Sequence, residues 1–268
     1  MNNMRKTDLL AISTLPPKDI DKKKIKKKTA KYNERLRELQ KVMYAESKWA
    51  LLIVLQGMDA SGKDGATRDV FYAVNPQGVR VTSFKKPTPE EASHDFLWRV
   101  HKHAPAKGMI QVFNRSHYEE VLIVRVENWI TEEETYRRFE HINNFEKFLH
   151  DSGTRILKFY LHISEESQKQ DFYERATDPA KHWKYSADDL DKAKKWPEYR
   201  KAYEGVIDNC SPEDSPWIVV PSDKNWYKEY LISKHIVETL EALNMEYPEG
   251  EIDRNDPDLI KLVKEIED

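Results

Sequence analysis

The sequence predicts an α/β fold with a central, five-stranded parallel sheet and helices on both of its faces. Apolar segments of strand length alternate with helical patterns along the chain, which is the arrangement that produces a parallel sheet. A continuous apolar run at 50–55 leads into a glycine-containing loop, as a fully buried strand would. From about 164 to 212 no strand pattern occurs and charged and aromatic residues are frequent, so we predict a helical insertion there.

The first half of the chain supplies three of the five expected strands. Apolar residues at helical spacing before Ser47 predict a helix that packs on the sheet ahead of the first strand. A second helix is expected to start near Pro87, with Thr88 as its N-cap and two acidic residues in its first turn. The expected elements are a helix to about 47, a strand at 50–55, a helix at 63–73, a strand at 79–84, a helix from 87 to about 100 and a strand at 109–113.

The second half of the chain supplies the remaining two strands and the insertion between them. The segment 216–221 is apolar and bounded by prolines, as expected for a short strand. We read the insertion, about 164–212, as a helical lid. The expected elements are helical segments at 116–127 and 131–150, a strand at 155–163, the lid, a strand at 216–221 and a closing helix at 226–243.

Composition limits the class of protein. The 44 basic and 47 acidic side chains give a net charge of −3, which argues against a nucleic-acid-binding protein but allows an anionic substrate in a locally basic cleft. The single cysteine, Cys210, excludes an intramolecular disulfide framework and a cysteine-rich zinc site. No apolar stretch has the length of a membrane span, and the start of the sequence lacks the pattern of a signal peptide. We therefore expect a soluble, cytoplasmic protein with no membrane partner.

The N-terminal residues 1–28 are predicted to form a basic arm, followed by a single domain over 29–268. Six lysines occur within 22–28. Such a run is typical of a solvated tail. The functional alternative is an electrostatic collar for a polyanion.

The segment Gly57-x4-Gly62-Lys63 predicts a phosphate-binding loop. Glycines let the backbone wrap around an anion, so that several N–H groups point at phosphate oxygens. The following helix adds a favourable dipole at its N-terminus, and Lys63 adds a positive charge. The alternative is a glycine turn that only caps a helix. The position of the segment, between a buried strand and a helix, favours phosphate binding.

Two carboxylates in and next to this loop indicate a metal ion. Asp64 stands where Ser or Thr usually meets magnesium, and Asp59 lies inside the loop. Carboxylates next to a phosphate are reasonable if one or more Mg²⁺ ions lie between them and the phosphate oxygens. The alternative for Asp64 is a favourable interaction with the helix N-terminus alone.

The segment 57–68 resembles the Walker A region of the polyphosphate kinase 2 family, and 113–122 resembles that family's second signature. The resemblance implies a three-layer P-loop kinase fold, similar to thymidylate kinases, with a helical lid. It also implies transfer of a terminal phosphoryl group between inorganic polyphosphate and a nucleotide with Mg²⁺, in a homodimer or homotetramer. The similarity continues through 161–164, 172–175, 183–184, 196–203 and 216–217, and so covers roughly residues 30–245.

The resemblance also implies roles for individual residues. Asp59, Lys63 and Arg68 would lie at the phosphate and metal site. Arg115 would contact the transferred phosphoryl group, and Arg175 would come from the lid; the alternatives are a buried ion pair for Arg115 and a solvated helix position for Arg175. The residues expected to bind substrate are Gly57, Ala60, Ser61, Gly62, Asp64, Gly65, Arg68, Lys85, Asn114, Glu119 and Lys184.

Asn114 departs from the family pattern, which has an acidic metal ligand at the end of the third strand. An amide offers an oxygen ligand without negative charge, so more weight falls on Asp59. The residues that follow, 116–120, resemble the subgroup that accepts both nucleoside mono- and diphosphates, in which the Glu119 position is associated with the choice of acceptor.

Several alternatives remain open at this point. Lys85 is equally compatible with a phosphate contact and with an ordinary surface position. The lid alternates cations and aromatics around Lys184, which suits helix packing, a polyphosphate chain or single-stranded nucleic acid. A phosphohistidine at His117 is disfavoured, because no activating partner for the ring is identifiable and in-line transfer needs no such intermediate. The competing functions are an ATP-dependent nucleotide kinase of the thymidylate-kinase type and a P-loop nucleotide switch.

Overall fold

The computed structural model describes residues 6–186, 191, 193–250 and 256–267. All five strands pair in parallel, as predicted from the alternation of strand and helix patterns. The strands are β1 (Ala50–Gln56), β2 (Val79–Ser83), β3 (Ile110–Asn114), β4 (Thr154–His162) and β5 (Trp217–Pro221). Their order across the sheet is β2-β3-β1-β4-β5, which places β1 at the centre.

Helices of very different lengths connect the strands. Several of the longer ones cover the faces of the sheet, and the helices of four residues lie in the connections that follow β2 and β3. The helices are α1 (Lys22–Glu46), α2 (Lys63–Phe71), α3 (Pro89–Ala92), α4 (Trp98–His101), α5 (Ile123–Val126), α6 (Glu132–Asp151), α7 (Glu165–Thr177), α8 (Trp196–Asn209), α9 (Asn225–Glu241) and α10 (Pro257–Glu267). Among the described residues, no helix combines the length and the apolar character that crossing a membrane requires.

Two hydrophobic clusters lie on opposite faces of the sheet. β1 is buried over its whole length, and its side chains alternate between the clusters, with Leu52 in one and Leu51 in the other. α1, α2 and α9 contribute to the cluster that contains Leu51, whereas α6 and α8 contribute to the cluster that contains Leu52. The three layers that result are those of the predicted P-loop kinase fold.

The N-terminal segment differs from the predicted basic arm over 1–28. α1 begins at Lys22, because the Asp21 side chain accepts hydrogen bonds from the N–H groups of the second and third residues of the helix. The lysines of the run are exposed, but Ile25 among them is buried. Further upstream, Leu9 is fully buried, and the His162 ring nitrogen Nε2 lies 3.0 Å from its carbonyl oxygen. Part of the segment is therefore packed on the sheet.

The single helix expected from 87 to about 100 is corrected to two short ones. Thr88 caps α3 as predicted, through a reciprocal capping box with Glu91. Asp95 then accepts hydrogen bonds from the N–H groups of Leu97 and Trp98 and starts a new helix. In the lid, the described residues of 164–212 contain α7, a 3₁₀ turn and α8, and they contain no strand.

Candidate phosphoryl-transfer site

The carboxyl ends of β1 and β3 meet at the centre of the sheet edge. The two strands are paired in register, with Leu55 opposite Asn114. The next residue, Arg115, donates its backbone N–H to the Leu55 carbonyl oxygen at 3.1 Å. Ligands of open α/β sheets bind at this edge, between neighbouring strands whose connections run to opposite sides of the sheet. Here the chain passes from β1 to β2 on one side and from β3 to β4 on the other. Residues that follow β1 and β3 are therefore held side by side.

The loop after β1 turns sharply into α2. Gly62 is the N-cap of α2 and has a φ of 80°, a left-handed conformation that glycine adopts without strain. A Cβ atom at Gly57 would lie 2.7 Å from the Leu161 carbonyl oxygen, so the loop passes close to β4 only because this position lacks a side chain. The N–H groups at the start of α2 have no partners within the helix, and they are suited to an anion.

Lys63 is the first residue of α2 and is buried within the loop. Its Nζ atom donates to the carbonyl oxygens of Gly57 and Met58, at 2.8 and 3.1 Å. Burial, reinforced by the nearby Arg115 guanidinium, lowers the pKa of Lys63 to about 8, although Asp59 opposes this shift. Lys63 therefore remains largely protonated at neutral pH, with its charge inside the loop.

Asp59 and Arg115 join the loop to the end of β3. The Arg115 guanidinium donates to the Asp59 carboxylate at 2.6 Å. Arg115 also has a φ of 59°, a left-handed conformation that is unfavourable for a residue with a side chain. Strained backbone of this kind is concentrated at functional sites, where the surrounding structure maintains it. On the lid side, Gln168 of α7 donates its side-chain amide to the Asp59 carbonyl oxygen at 2.9 Å.

Asp64 and Asn114 form a second contact between α2 and β3. The Asn114 side-chain amide donates to the Asp64 carboxylate at 2.5 Å. An acidic residue at position 114 would place two carboxylates against each other here, whereas the amide serves as a donor. Asn114, which departs from the family pattern, therefore forms a favourable hydrogen bond with Asp64.

This site is rich in oxygen ligands of the kind that bind a divalent cation. Asp59, Asp64 and the amide oxygen of Asn114 are the hard ligands that Mg²⁺ prefers. Among the described residues, no group of three or more His, Cys, Asp or Glu side chains is arranged to hold a metal ion by itself. The residues present fit a cation held by one or two carboxylates together with substrate phosphates, which is the usual manner for Mg²⁺ in kinases.

A cleft opens next to the loop, between the sheet edge and α8. From the sheet side it is lined by Asp59, Arg115 and Glu119. From the lid side it is lined by Gln168 of α7 and by an aromatic stripe of α8, which consists of Trp196, Tyr199 and Tyr203. The cleft thus has charged groups on one wall and aromatic groups on the other.

The aromatic stripe is connected to the strand ends by hydrogen bonds. The Tyr203 hydroxyl donates to the Gln56 side chain at 3.5 Å, and Gln56 donates in turn to the Ser116 hydroxyl at 3.2 Å. Burial raises the pKa of Tyr203 well above its usual value, and it raises the pKa of Tyr199 as well. Both phenols are neutral at physiological pH and add no negative charge near an anion.

Four residues predicted at the site lie elsewhere in this conformation. The exposed Arg68 pairs with the neighbouring Asp69 at 2.7 Å, and Lys85 has an exposed side chain. Arg175 forms an ion pair with Asp171, also on α7, at 2.7 Å. The Lys184 ammonium lies 5.1 Å from the centroid of the adjacent Trp183 ring. None of the four lines the cleft.

Two groups of residues at this site were not predicted from the sequence. One is the lining contributed by Gln168, Tyr199 and Tyr203. Tyr199 and Tyr203 follow Trp196 at helical spacing, and this periodicity is the signal from which an aromatic stripe is predictable. The other is Lys228 of α9, whose Nζ atom lies 3.2 Å from the Ser61 carbonyl oxygen. Its sequence context gives no such signal.

His117 has the structural role that we favoured over a phosphohistidine. Its side chain is fully buried, and its Nε2 atom lies 3.2 Å from the Glu146 carboxylate. The ring is T-shaped against Phe113 and Phe145. A nucleophile needs access to the phosphorus atom, and this ring lies in the core instead.

A glycine-containing loop between a buried central strand and a helix, with a buried lysine at the start of that helix, is the arrangement of the P-loop kinase fold. The family model described as "Polyphosphate kinase 2 (PPK2)" matches residues 19–248. The chain therefore belongs to the polyphosphate kinase 2 family, and it is a phosphotransferase enzyme, as the resemblance implies. Enzymes of this family are kinases that generally need a divalent metal ion.

Individual relatives agree with this assignment. The AMP/ADP-polyphosphate phosphotransferase of Meiothermus ruber is 51% identical over 219 residues, which are 82% of each chain. The ADP-polyphosphate phosphotransferase of Rhodopseudomonas palustris is 46% identical over 81% of this chain and 79% of the relative. The crystal structure of polyphosphate kinase 2 from Arthrobacter aurescens superposes with a TM-score of 0.91 at 39% identity, covering 98% of this chain and 93% of that one.

Proposed function

We propose that this enzyme transfers the terminal phosphoryl group of inorganic polyphosphate to AMP and to ADP, and catalyses the reverse reactions, with Mg²⁺ as its cation. The observation that carries the proposal is the cluster of Lys63, Asp59 and Arg115 beside the loop, in a cleft that also contains Glu119. The name of the Meiothermus ruber relative supports both acceptors.

The reaction is a direct, in-line displacement. A phosphate oxygen of the acceptor attacks the terminal phosphorus atom of polyphosphate, while the bond from that phosphorus to the bridging oxygen breaks. The electron pair of that bond stays with the shortened polyphosphate chain. AMP becomes ADP, ADP becomes ATP, and each transfer shortens polyphosphate by one unit. No covalent enzyme intermediate is needed, in agreement with the buried position of His117.

The chain's own residues position the phosphates and neutralise their charge. The loop amides hold phosphate oxygens, and the Lys63 ammonium exchanges its contacts with the carbonyls of the loop for a phosphate oxygen. The Arg115 guanidinium faces the transferred group and stabilises the charge that develops on its oxygens. Asp59 keeps this guanidinium in place through their hydrogen bond.

The lid supplies the remaining positive charge and excludes water. As the lid closes, Arg175 would leave Asp171 and turn toward the phosphates. The Lys184 ammonium would contact phosphate groups of polyphosphate. Arg68 and Lys85 are exposed and lie outside the cleft in this conformation; they would contact phosphates of polyphosphate further from the transferred group. These long, flexible side chains can reach over the cleft without any change in the sheet.

Mg²⁺ would be held by Asp59 and by Asp64, together with substrate phosphates. When bound, it would neutralise charge on the phosphate oxygens. Asn114 would offer a neutral oxygen next to this position. Glu119, on the charged wall of the cleft, would contribute to the choice between a mono- and a diphosphate acceptor.

We further propose that the enzyme is cytoplasmic and that it assembles as a homodimer or homotetramer. Light scattering of the purified protein tests the proposed assembly.

Product analysis with polyphosphate as the only phosphoryl donor tests the proposed function. The purified enzyme with polyphosphate, Mg²⁺ and AMP should form ADP and then ATP, and EDTA should stop the reaction. Product formation with ATP as donor and none with polyphosphate would instead identify an ATP-dependent nucleotide kinase. Slow hydrolysis without any transfer product across a panel of nucleotides would point to a nucleotide switch.

A further inference from the structure

Lys228 is a buried lysine that contacts the phosphate loop from behind. It is the fourth residue of α9, and its side chain is almost completely buried. The Nζ atom donates to the carbonyl oxygens of Ser61 and Gly62, at 3.2 and 3.3 Å, and to the side-chain oxygen of Asn225 at 3.0 Å. A residue from the last helix that covers the sheet thus fastens two consecutive peptide groups of the loop.

These two contacts contribute to the direction in which the loop amides point, together with the helical hydrogen bond from the Ala66 N–H to the Gly62 carbonyl oxygen at 2.9 Å. The chain has no cis peptide bonds among its described residues, and in a trans peptide the C=O and N–H groups point in opposite directions. Drawing the Ser61 and Gly62 carbonyls toward Lys228 therefore directs the N–H groups of Gly62 and Lys63 to the opposite side. These are the amides at the start of α2, which are suited to an anion.

The fit between Lys228 and the loop is close. A Cβ atom at position 62 would lie 2.2 Å from the Lys228 Nζ atom, so the ammonium occupies the space that any side chain there would need. Gly62 thus serves two purposes, because it also adopts the left-handed φ of 80°.

The charge of Lys228 is not balanced by a direct ion pair. In the described part of the chain, no carboxylate lies within ion-pair distance of its Nζ atom, and its hydrogen-bond partners are neutral oxygens. Burial lowers the pKa of Lys228 to about 8, although Glu229 and Asp69 oppose the shift from a distance. The ammonium is mostly protonated at neutral pH, and its field reinforces the loop amides in front of it.

We propose that Lys228 is a positioning residue for phosphate binding, which orients the Gly62 and Lys63 amides by holding the two carbonyls behind them. The inference rests on the proposed function, since it takes the loop to hold substrate phosphates. Lys228 contacts the loop only from the carbonyl side, and it acts on substrate through the backbone.

Binding of tripolyphosphate with Mg²⁺ to the full chain, measured by isothermal titration calorimetry at pH 7, tests this inference. Lys228→Met keeps the length and the apolar stem of the side chain but removes its donors. We expect the Kd to rise by about tenfold to a hundredfold, the effect of losing one hydrogen bond to a charged group. Lys228→Gln, which keeps a neutral donor, should fall between the wild type and the Met variant. Lys234→Met is the matched control, on the same helix and near Glu238, and should bind as the wild type does.

Two further measurements separate positioning from a merely structural role. Hydrogen exchange over 57–66 should show strong protection by tripolyphosphate in the wild type and weak protection in Lys228→Met. In steady-state assays, the KM for polyphosphate should rise more than kcat falls. A melting temperature near that of the wild type without ligand would show that the fold is intact.

The opposite results would overturn the inference. A Kd within twofold of the wild type in Lys228→Met, or equal protection of the loop by ligand, would do so. Lower thermal stability with unchanged affinity would assign Lys228 a structural role only. If Lys228→Met does not fold, the same criteria apply to Lys228→Gln. Failure of the wild type itself to bind tripolyphosphate would instead count against the proposed function.

Discussion

Two regions of this enzyme bury lysine side chains in opposite ways. Lys63, at the end of the phosphate loop, and Lys228, which contacts the loop from α9, donate to backbone carbonyls of the loop, and burial lowers their pKa values to about 8. In the core under β4, Lys158 is fully buried and forms an ion pair with the equally buried Glu146. Among the residues that the structure describes, neither Lys63 nor Lys228 has a carboxylate within ion-pair distance, whereas the Lys158 ammonium is balanced by Glu146.

The Glu146 cluster shows what a structural charge requires. Glu146 also accepts a hydrogen bond from the Tyr118 hydroxyl at 2.8 Å, and Lys158 donates to the Cys210 carbonyl oxygen at 2.9 Å. Burial favours the neutral form of the Glu146 carboxyl, but the Lys158 ammonium and the contact with His117 outweigh it, so the pKa of Glu146 lies below its usual value.

The difference between the two regions indicates function. Buried charges in proteins are normally paired, because an unpaired charge is strongly unfavourable in the interior. The hydrogen-bond partners of Lys63 and Lys228 are neutral oxygens, so the charges of these buried lysines are not balanced by a direct ion pair among the described residues. In the proposed mechanism an anionic substrate would pair directly with Lys63, whereas Lys228 would act on it through the backbone of the loop. Three predictions test whether this division holds.

The largest effect on stability is expected in the core cluster. Glu146→Gln keeps the shape of the side chain but leaves the buried Lys158 ammonium without its carboxylate. Breaking a buried pair on one side is destabilising by about 3–5 kcal/mol. Urea unfolding followed by circular dichroism should show this loss, while the kcat of the remaining folded enzyme at low temperature should change little.

A compensated variant provides the control. The double variant Glu146→Leu with Lys158→Met removes both charges, and it should recover part of the lost stability, because replacing both partners of a buried pair by apolar residues is often close to neutral. A loss below about 1 kcal/mol in Glu146→Gln would contradict the view that this pair is structural.

The largest effect on activity is expected in the loop. Lys63→Met removes the ammonium that, in the proposed mechanism, contacts a phosphate oxygen, and loss of one preorganised charged donor lowers catalysis by about 10²–10³-fold. Because the lysine is buried with no carboxylate within ion-pair distance in the described part of the chain, the variant should be as stable as the wild type or more so. The measurements are kcat/KM with polyphosphate and AMP, and the melting temperature. Activity within threefold of the wild type would remove Lys63 from the proposed mechanism, and Lys31→Met, at an exposed position of α1, is the matched control.

The elements of the fold and the phosphate loop were predictable from the sequence, because each depends on residues close together in the chain. The fold followed from local patterns: the apolar run at 50–55 predicted β1, which extends over Ala50–Gln56, and the closing helix at 226–243 corresponds to α9. Gly62 and Lys63 were predictable because a phosphate loop requires particular residue types at fixed spacing within one short segment.

Contacts between segments that are distant in the sequence could not be predicted from local patterns. Lys228 reaches Ser61 across 167 positions of the sequence, and nothing in its neighbourhood marks it as different from Lys234, a half-buried lysine of the same helix. The Asp64 contact with Asn114 and the left-handed backbone of Arg115 depend in the same way on the pairing of β1 with β3. The predicted helix through Asp95 failed for a local reason, since this side chain accepts hydrogen bonds from the Leu97 and Trp98 N–H groups, just where α4 begins.

The smallest expected effect is a dependence on pH that distinguishes Lys63 from a balanced lysine. The pKa of Lys63 is about 8 in the folded enzyme, against about 10.4 for an unperturbed lysine. Between these values the unfolded chain binds the proton that the folded chain has released, so the free energy of unfolding rises with pH. The gain attributable to Lys63 should reach about 2 kcal/mol near pH 9.5. Affinity for tripolyphosphate should fall over the same window, because the loop loses its charge.

Urea unfolding at several pH values between 7 and 10, in the wild type and in Lys63→Met, isolates this contribution. Other groups that titrate in this range, including Lys228, are present in both proteins, and their effects cancel in the difference between the two curves. The wild type should gain stability relative to the variant as the pH rises above 8. A difference that stays constant, or that changes with the opposite sign, would mean that Lys63 is already balanced by charges within the protein. The contrast between the loop and the Glu146 cluster would then no longer account for phosphate binding.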